Sequence, residues 1–387
     1  MKKIVIVTRR MILGGIEKAL ISMLKSIPED KYEITVLVMG KGGELEEEIP
    51  NYIKLDCLYG NEKTTLEKIW KNTRKGKLIA AIKIAWFTLL SKMTKSIFKQ
   101  EWYHSKMLPK SKIYYDLAIA YHVPASFPVV FVMNNIKAKS KIAWIHSDVS
   151  KYKEQLRLYQ EFYEKYDKIY CVSKEAMEKF NNIYPHLHNK TSVFYNIIDT
   201  QQVEELASRE GGFYDEFDGL RILTVGRLTK EKGHDIIPGV LTRLSKEGKN
   251  IRWYLIGDGD CRSELENLIM KYRLKDKLIL LGQKINPYPY IKQCDIYVQP
   301  SRHEGYCITL AEARVLNKPI ITTDFAGSRE QIVNGHNGLI IKFDENEMYM
   351  AIKTLIYNRN LSLRFTEKLK KTNIMDLNQL ERLLESV

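Results

Sequence analysis

The sequence predicts an α/β chain made of two doubly wound, Rossmann-like domains in series. Three observations carry this. Apolar runs of strand length recur along the chain, each closed by glycine or a polar turn and followed by apolar residues at helical spacing. The first such unit, residues 3–7, then Gly14-Gly15, then Ile16, Leu20, Ile21 and Leu24, reads as strand, turn and helix. A fresh series starts at Arg221 after a polar stretch at 200–219 that holds Gly211-Gly212, and 387 residues suffice for two domains with separate cores.

In the first half the expected strands are 3–7, 34–38, 116–121, 141–145 and 168–172, and the half closes near 192–199. The third ends at His122 and the fourth at His146-Ser147-Asp148. A histidine just past a strand's carboxyl end faces the crevice where ligands bind in doubly wound sheets, although a histidine satisfied by a carbonyl would read the same. Ser173 is placed to cap the helix that follows. In the second half the alternation runs through strands at 221–225, 253–256, 278–281, 295–298, 319–322 and 338–341. Gly14-Gly15 could be a ligand-binding turn or a turn that only requires positive φ.

Hydrophobic content of 44% and charged content of 28% are those of a water-soluble globular chain. No uncharged apolar run approaches the roughly 20 residues of a membrane span. Met1-Lys2-Lys3 and the short apolar run behind it read as a first strand, because Arg9 and Arg10 follow at once. Five scattered cysteines without CxxC or zinc spacing suggest reduced thiols and a cytoplasmic chain. The net charge of +14 is concentrated in residues 63–112, where thirteen Lys and Arg face only Glu67 and Glu101, and where Trp70, Trp86 and Trp102 lie. The apolar centre at 78–90 suits a helix resting in the interface of an anionic membrane. An amphipathic helix packed on its own domain is the plainer reading. Nucleic acid is not expected, since no groove-reading motif accompanies the charge.

The densest chemistry lies at 301–313, where a turn carries Glu304 and a short helix behind it carries Glu312. A helix start offers unpaired amides that favour a phosphate, and carboxylates on either side can accept hydrogen bonds from hydroxyls. A nucleotide-sugar has that pattern. Arg227 and Lys232, just past a strand, could hold a diphosphate as charge grows on it, or could be solvated loop cations. Helix-dipole compensation accounts for Glu304 and poorly for Glu312. Glycosidase-like acid/base work also uses paired carboxylates. No DxD triplet or His/Cys cluster supports a metal, and neither metal nor other cofactor is expected.

These residues resemble the large retaining glycosyltransferase family 4. Glu304 to Glu312 looks like its E-x7-E motif, and Gly226, Arg227 and Lys232 match its G-R-x4-K loop. Gly14-Gly15-Ile16-Glu17 is similar to its GG-x-E turn, Trp144-Ile145-His146-Ser147 to its strand-end histidine, and Asn196-Ile197-Ile198-Asp199 to its hinge. The resemblance implies a GT-B fold: an acceptor-binding domain at 1–200 with the basic insertion 63–112, a nucleotide-sugar domain at 201–365, and a helical segment 366–387 returning to the first domain. It implies that Glu312 binds ribose hydroxyls, that Glu304 binds the donor sugar, and that Arg227 and Lys232 hold the diphosphate with amides from Tyr306, Cys307, Ile308 and Thr309. His146 would serve the sugar, Gly282 to Lys284 the base, and Gly15 and Gly226 the donor. Transfer would be metal-independent and retaining, with the leaving phosphate assisting the incoming hydroxyl. Cys307 departs from the family, where proline or glycine is frequent.

The resulting expectation is a retaining transferase moving a sugar from a nucleotide-diphosphate donor, UDP-linked, to a saccharide acceptor. A lipid-linked acceptor at the inner membrane face, as in capsule or exopolysaccharide assembly, would suit the basic segment. A nucleotide-sugar epimerase on the same fold and a non-catalytic carbohydrate- or membrane-binding protein are the alternatives.

Overall fold

The computed structural model describes residues 1–58, 64–372 and 378–385; Lys63 and part of the C-terminal segment fall outside them. The chain forms two compact units, Met1–Asn196 with Leu377–Val387, and Ile197–Asp376.

The first unit is a seven-stranded parallel sheet of β1 (Lys2–Thr8), β2 (Tyr32–Val38), β3 (Lys54–Cys57), β4 (Tyr114–His122), β5 (Lys137–Ile145), β6 (Lys168–Cys171) and β7 (Thr191–Val193). Its order is β3-β2-β1-β4-β5-β6-β7. Parallel strands are covered on both faces, so they read as continuous apolar runs. Val5, Val7, Ala118, Ala120, Ala143 and Ile145 accordingly pack with Phe127, Val130, Phe131 and Tyr163 in one core. The half-exposed edge strand β3 escapes the sequence pattern because Lys54-Leu55-Asp56-Cys57 is half polar. β5 begins four residues earlier than its apolar run, at Lys137, where pairing with Tyr114 extends the ladder through charged residues. Ser173 caps the helix Lys174–Ile183 by accepting from the Ala176 N–H at 3.1 Å.

The second unit is a six-stranded parallel sheet of β8 (Leu220–Val225), β9 (Ile251–Ile256), β10 (Leu278–Gly282), β11 (Ile296–Gln299), β12 (Ile320–Thr323) and β13 (Leu339–Ile341), in the order β10-β9-β8-β11-β12-β13. Trp253, Ile222, Val298 and Ile321 from the sheet pack with Ile237, Val240, Leu241 and Phe365 from helices. Strand order reverses direction between β1 and β4 in one unit and between β8 and β11 in the other. In open parallel sheets the ligand crevice lies at the carboxyl ends of the strands at such a reversal.

The polar stretch 200–219 belongs to the second unit: helix Thr200–Ser208 buries Val203 and Ala207, and the Leu206 carbonyl accepts from Asn286 at 2.9 Å. Its polar composition reflects the outward face of that helix. Helix Arg359–Lys370 also stays with the second unit, whereas the sequence reading has the returning segment begin at 366. Helix Asn378–Glu385 buries Leu380, Leu383 and Leu384 in the first unit, while the Gln379 amide exchanges two hydrogen bonds with the Tyr195 backbone, at 2.8 and 2.9 Å.

The basic segment folds into helices Thr65–Arg74, Leu78–Met93 and Ile97–Met107. The first starts on a capping box made by Thr64 and Glu67. Trp102 turns inward and packs on the core of the first unit with Phe98. Trp70 and Trp86 remain exposed. Among the described residues, no helix is long and apolar enough to cross a membrane.

Candidate functional site

At the reversal in the second unit, two loops leave neighbouring strands. The loop after β8 carries Gly226, Arg227 and Lys232; the loop after β11 carries Ser301 to Cys307. They are held together in three ways. The Arg302 and His303 amides both donate to the Glu231 carbonyl, at 2.8 and 3.3 Å. Arg302 makes a bidentate pair with Asp235, at 2.6 and 2.7 Å. Gly233, at φ +69°, lies so close to the Pro300 carbonyl that a Cβ there would sit 2.0 Å from the oxygen, so only glycine fits.

The result is a direct contact between two residues 72 apart in sequence. Lys232 Nζ donates to Glu304 Oε1 at 2.5 Å, with side chains 16% and 11% exposed. Burial alone would lower the Lys232 pKa, but the Glu304 carboxylate overrides it and holds the ammonium above its usual value. Glu304 Oε1 also accepts from Ser301 Oγ at 2.8 Å. Behind it the chain continues: Gln299 donates to Ser301 Oγ at 2.9 Å, and Tyr297 and Thr309 hydroxyls donate to Gln299 Oε1 at 2.9 and 3.2 Å. The carboxylate is thus oriented before any ligand arrives. Arg227 is 68% exposed and only loosely paired with Glu231 at 3.8 Å, so its guanidinium can turn toward an anion.

Helix Ile308–Val315 starts behind Cys307, which sits at φ +70°. That left-handed conformation accommodates glycine without strain and excludes proline, whose φ is fixed near −65°. The first ladder bond runs from the Ala311 amide to the Cys307 carbonyl at 3.3 Å, leaving the preceding amides outside the ladder. Gln331 braces this turn by donating to the Tyr306 and Cys307 carbonyls. Burial pushes the Cys307 thiol up to about 12. Glu312, in the helix, is buried and accepts from Tyr288 OH at 2.8 Å. β10 ends at Gly282 with φ +69°, and Lys284 lies over the Tyr290 ring at 6.0 Å.

In the first unit, Gly14 has φ −158° and Gly15 begins the helix Gly15–Lys25. Positive φ therefore does not explain the pair. A Cβ on Gly14 would instead lie 2.5 Å from Glu17 Oε2, so a side chain there would push the buried Glu17 carboxylate aside. His122 ends β4 and His146 follows β5. Burial, then the charge of Arg9, lowers the His122 pKa to about 3. Burial, then His122, lowers that of His146 well below its usual value. His146 packs against both Tyr121 and Trp144, with ring centroids 4.1 and 6.0 Å away. Arg9 pairs with the buried Glu101 at 3.1 Å, and Tyr159 OH donates to the same carboxylate at 2.5 Å.

Lys232 and Glu304 are brought into contact, with Arg227, Gly226, Tyr306 and Cys307 on the same two loops and Ile308 and Thr309 at the start of the helix behind them. Glu312 stands apart on its helix, and Gly15 and His146 belong to the first unit. Sequence reasoning missed Gln299, Gln331 and Tyr288. Gln299 has the one readable signal, a polar residue closing an apolar strand; the other two act through tertiary contacts alone. Among the described residues no three metal-ligating side chains converge.

Two Rossmann-like units with this pair of loops at a sheet reversal place the architecture with the GT-B glycosyltransferases. Residues 216–372 match the family model described as glycosyl transferases group 1, wholly within the second unit. The chain is 30% identical over 210 residues to the Campylobacter jejuni N-acetylgalactosamine-N,N'-diacetylbacillosaminyl-diphospho-undecaprenol 4-alpha-N-acetylgalactosaminyltransferase, covering 54% of this chain and 56% of that protein. It is 28% identical over 208 residues to the Escherichia coli O-antigen biosynthesis glycosyltransferase WclY, covering 52% and 55%. The chain thus spans about half the length of the curated relatives it matches. Along its whole length the fold is similar to Anabaena HepE, solved in complex with UDP and glucose, with a TM-score of 0.73, 16% identity, and coverage of 100% and 99%.

Proposed function

We propose that the chain is a retaining, metal-independent glycosyltransferase that moves a sugar from a UDP-linked donor to a saccharide acceptor in cell-surface polysaccharide assembly. The observation that carries the reading is the Lys232–Glu304 contact at the mouth of the β8 and β11 loops. A largely buried ammonium beside a carboxylate that is itself oriented by Ser301 suits the junction of a diphosphate and a sugar ring. Lys232 and the mobile-ended Arg227 take the charge that grows on the leaving diphosphate. The turn amides before Ala311 add to it. Glu304 binds sugar hydroxyls, Glu312 the ribose, and the backbone at Gly282 to Lys284 the base; Gly15 and His146 serve the donor from the first unit. Without an enzyme nucleophile, the departing phosphate oxygen takes the proton of the incoming hydroxyl on the same face.

The glycosyl transferases group 1 match and the undecaprenol-linked substrate in the name of the Campylobacter relative support a lipid-linked acceptor. With such an acceptor the chain works on the inner membrane face, docked on anionic lipid through the basic segment. A thermal-shift panel of UDP-, GDP- and dTDP-sugars tests the donor, because a ligand that binds only the folded state raises Tm by mass action. UDP-sugars should give the largest shift. No shift with any nucleotide-sugar would end the proposal.

A further inference from the structure

Helix Leu78–Met93 buries only Ala81 and Ser91. Its exposed large apolar residues are Leu78, Ile79, Ile82, Trp86, Leu89 and Met93, the second of them 84% exposed. With steps of about 100° per residue, these six fall within an arc of about 100°, a single outward stripe. The adjoining helix Thr65–Arg74 adds Leu66 and Trp70, at 78% and 60% exposure. Eight large apolar side chains left open within 28 residues exceed what an unpartnered surface normally tolerates.

Charge decides what covers them. On the same helical projection, exposed Lys83 and Lys92 border the stripe on its two sides. Lys75 and Lys77 precede it, and Lys95 and Lys99 follow it, all exposed and without a carboxylate partner among the described residues. The two acids of the segment are engaged elsewhere. Glu67 closes a capping box, and Glu101 is buried against Arg9 and Tyr159. A second copy of this chain would bring the same cations against one another, whereas an anionic bilayer offers acyl chains to the stripe and headgroup charge to its borders.

We propose that this stripe, together with Leu66 and Trp70, inserts at the headgroup–acyl boundary of an anionic bilayer, with the bordering lysines on the lipid phosphates. The proposal rests on the membrane-docked reading above and makes it specific: attachment is by apolar insertion steered by charge, not by charge alone.

The test is flotation of the full chain with vesicles of phosphatidylcholine plus phosphatidylglycerol, against phosphatidylcholine alone. It is read together with tryptophan quenching by acyl-brominated lipid. Wild type should float with the anionic vesicles, keep a measurable fraction bound when salt screens the lysines, and show quenching that Trp70→Phe with Trp86→Phe removes. The triple variant Ile82→Ser, Trp86→Ser, Leu89→Ser, all at exposed positions, should lose at least about tenfold in partitioning. Equal flotation of that variant, absence of bromolipid quenching in wild type, or a wild-type dimer that the variant converts to monomer would each overturn insertion. UDP-sugar thermal shifts on the same preparations separate the two readings. Shift without flotation defeats only the membrane inference; flotation without shift defeats only the transferase.

Discussion

Lys232 and Glu304 form a cycle that can be measured without knowing the substrate. Replacing Lys232 by alanine removes a charge-assisted hydrogen bond of 2.5 Å and leaves a mostly buried carboxylate with Ser301 as its remaining short partner. Bonds of this kind contribute roughly 1.5–3 kcal/mol. We take about 2 kcal/mol for the pair, because both side chains are partly open to water. In a unit of this size that corresponds to a fall in Tm of about 4–8 °C. Glu304→Ala should cost a similar amount, and the double variant little more than either, giving a coupling of about 2 kcal/mol. The same variants separate on ligands: Lys232→Ala should weaken UDP binding about tenfold to a hundredfold, while Glu304→Ala should weaken UDP-sugar far more than UDP. The Lys232 pKa is raised in the folded state, so the ammonium's stabilisation is complete below its usual pKa of 10.5 and is lost only as pH climbs through the higher folded value. Chemical denaturation at neutral pH and calorimetric titration give both readouts. A coupling below about 0.5 kcal/mol, the ordinary limit of additivity, or equal losses for UDP and UDP-sugar in both variants, would refute the assignment.

Arg227→Ala touches an exposed side chain, so stability should stay within about 0.5 kcal/mol while UDP affinity falls; a large drop in Tm would mean the residue is structural. At Cys307, where φ is +70°, the order of Tm should be glycine above alanine above valine, since a side chain in the left-handed region costs about 1–2 kcal/mol and a branched one more; alanine above glycine would contradict the backbone argument. His122 and His234 have pKa values lowered to about 3 and about 4, in both cases chiefly by burial. Each is neutral when folded and takes a proton more readily when unfolded, so stability is greatest above the usual pKa of 6.5 and falls as pH drops toward the folded values. The slope approaches about 1.4 kcal/mol per pH unit per histidine. His234→Asn should flatten the acid limb for the second unit, and an unchanged limb would remove His234 from that account.

Most of the fold was legible because parallel strands advertise themselves. Eleven of the thirteen described strands coincide with strands expected from the sequence, and the exceptions are the two edge strands of the first sheet, the half-polar Lys54–Cys57 and the three-residue Thr191–Val193. Boundaries were legible only where apolar residues changed. The charged start of β5 carries no apolar signal, so the sequence reading of that strand begins four residues late. At the site, the residue types on the two loops could be read, but not that Lys232 reaches Glu304 rather than solvent. That depends on Gly233 fitting under the Pro300 carbonyl and on Arg302 gripping Asp235. Gln331 could not have been found at all, since its amide meets carbonyls 24 and 25 residues away.

The inward thiol at Cys307 gives the second unit a built-in clock. With its pKa pushed up to about 12, as is that of buried Cys294, almost none of either sulfur is thiolate at the pH of ordinary alkylation. Modification at these two positions therefore has to await an opening of the loop or of the unit. Half-exposed Cys57 and Cys261 face no such steric wait. Counting alkylated sulfurs against time would then resolve how often the turn beneath Glu304 comes apart, and a ligand seated on that turn would slow Cys307 relative to Cys294.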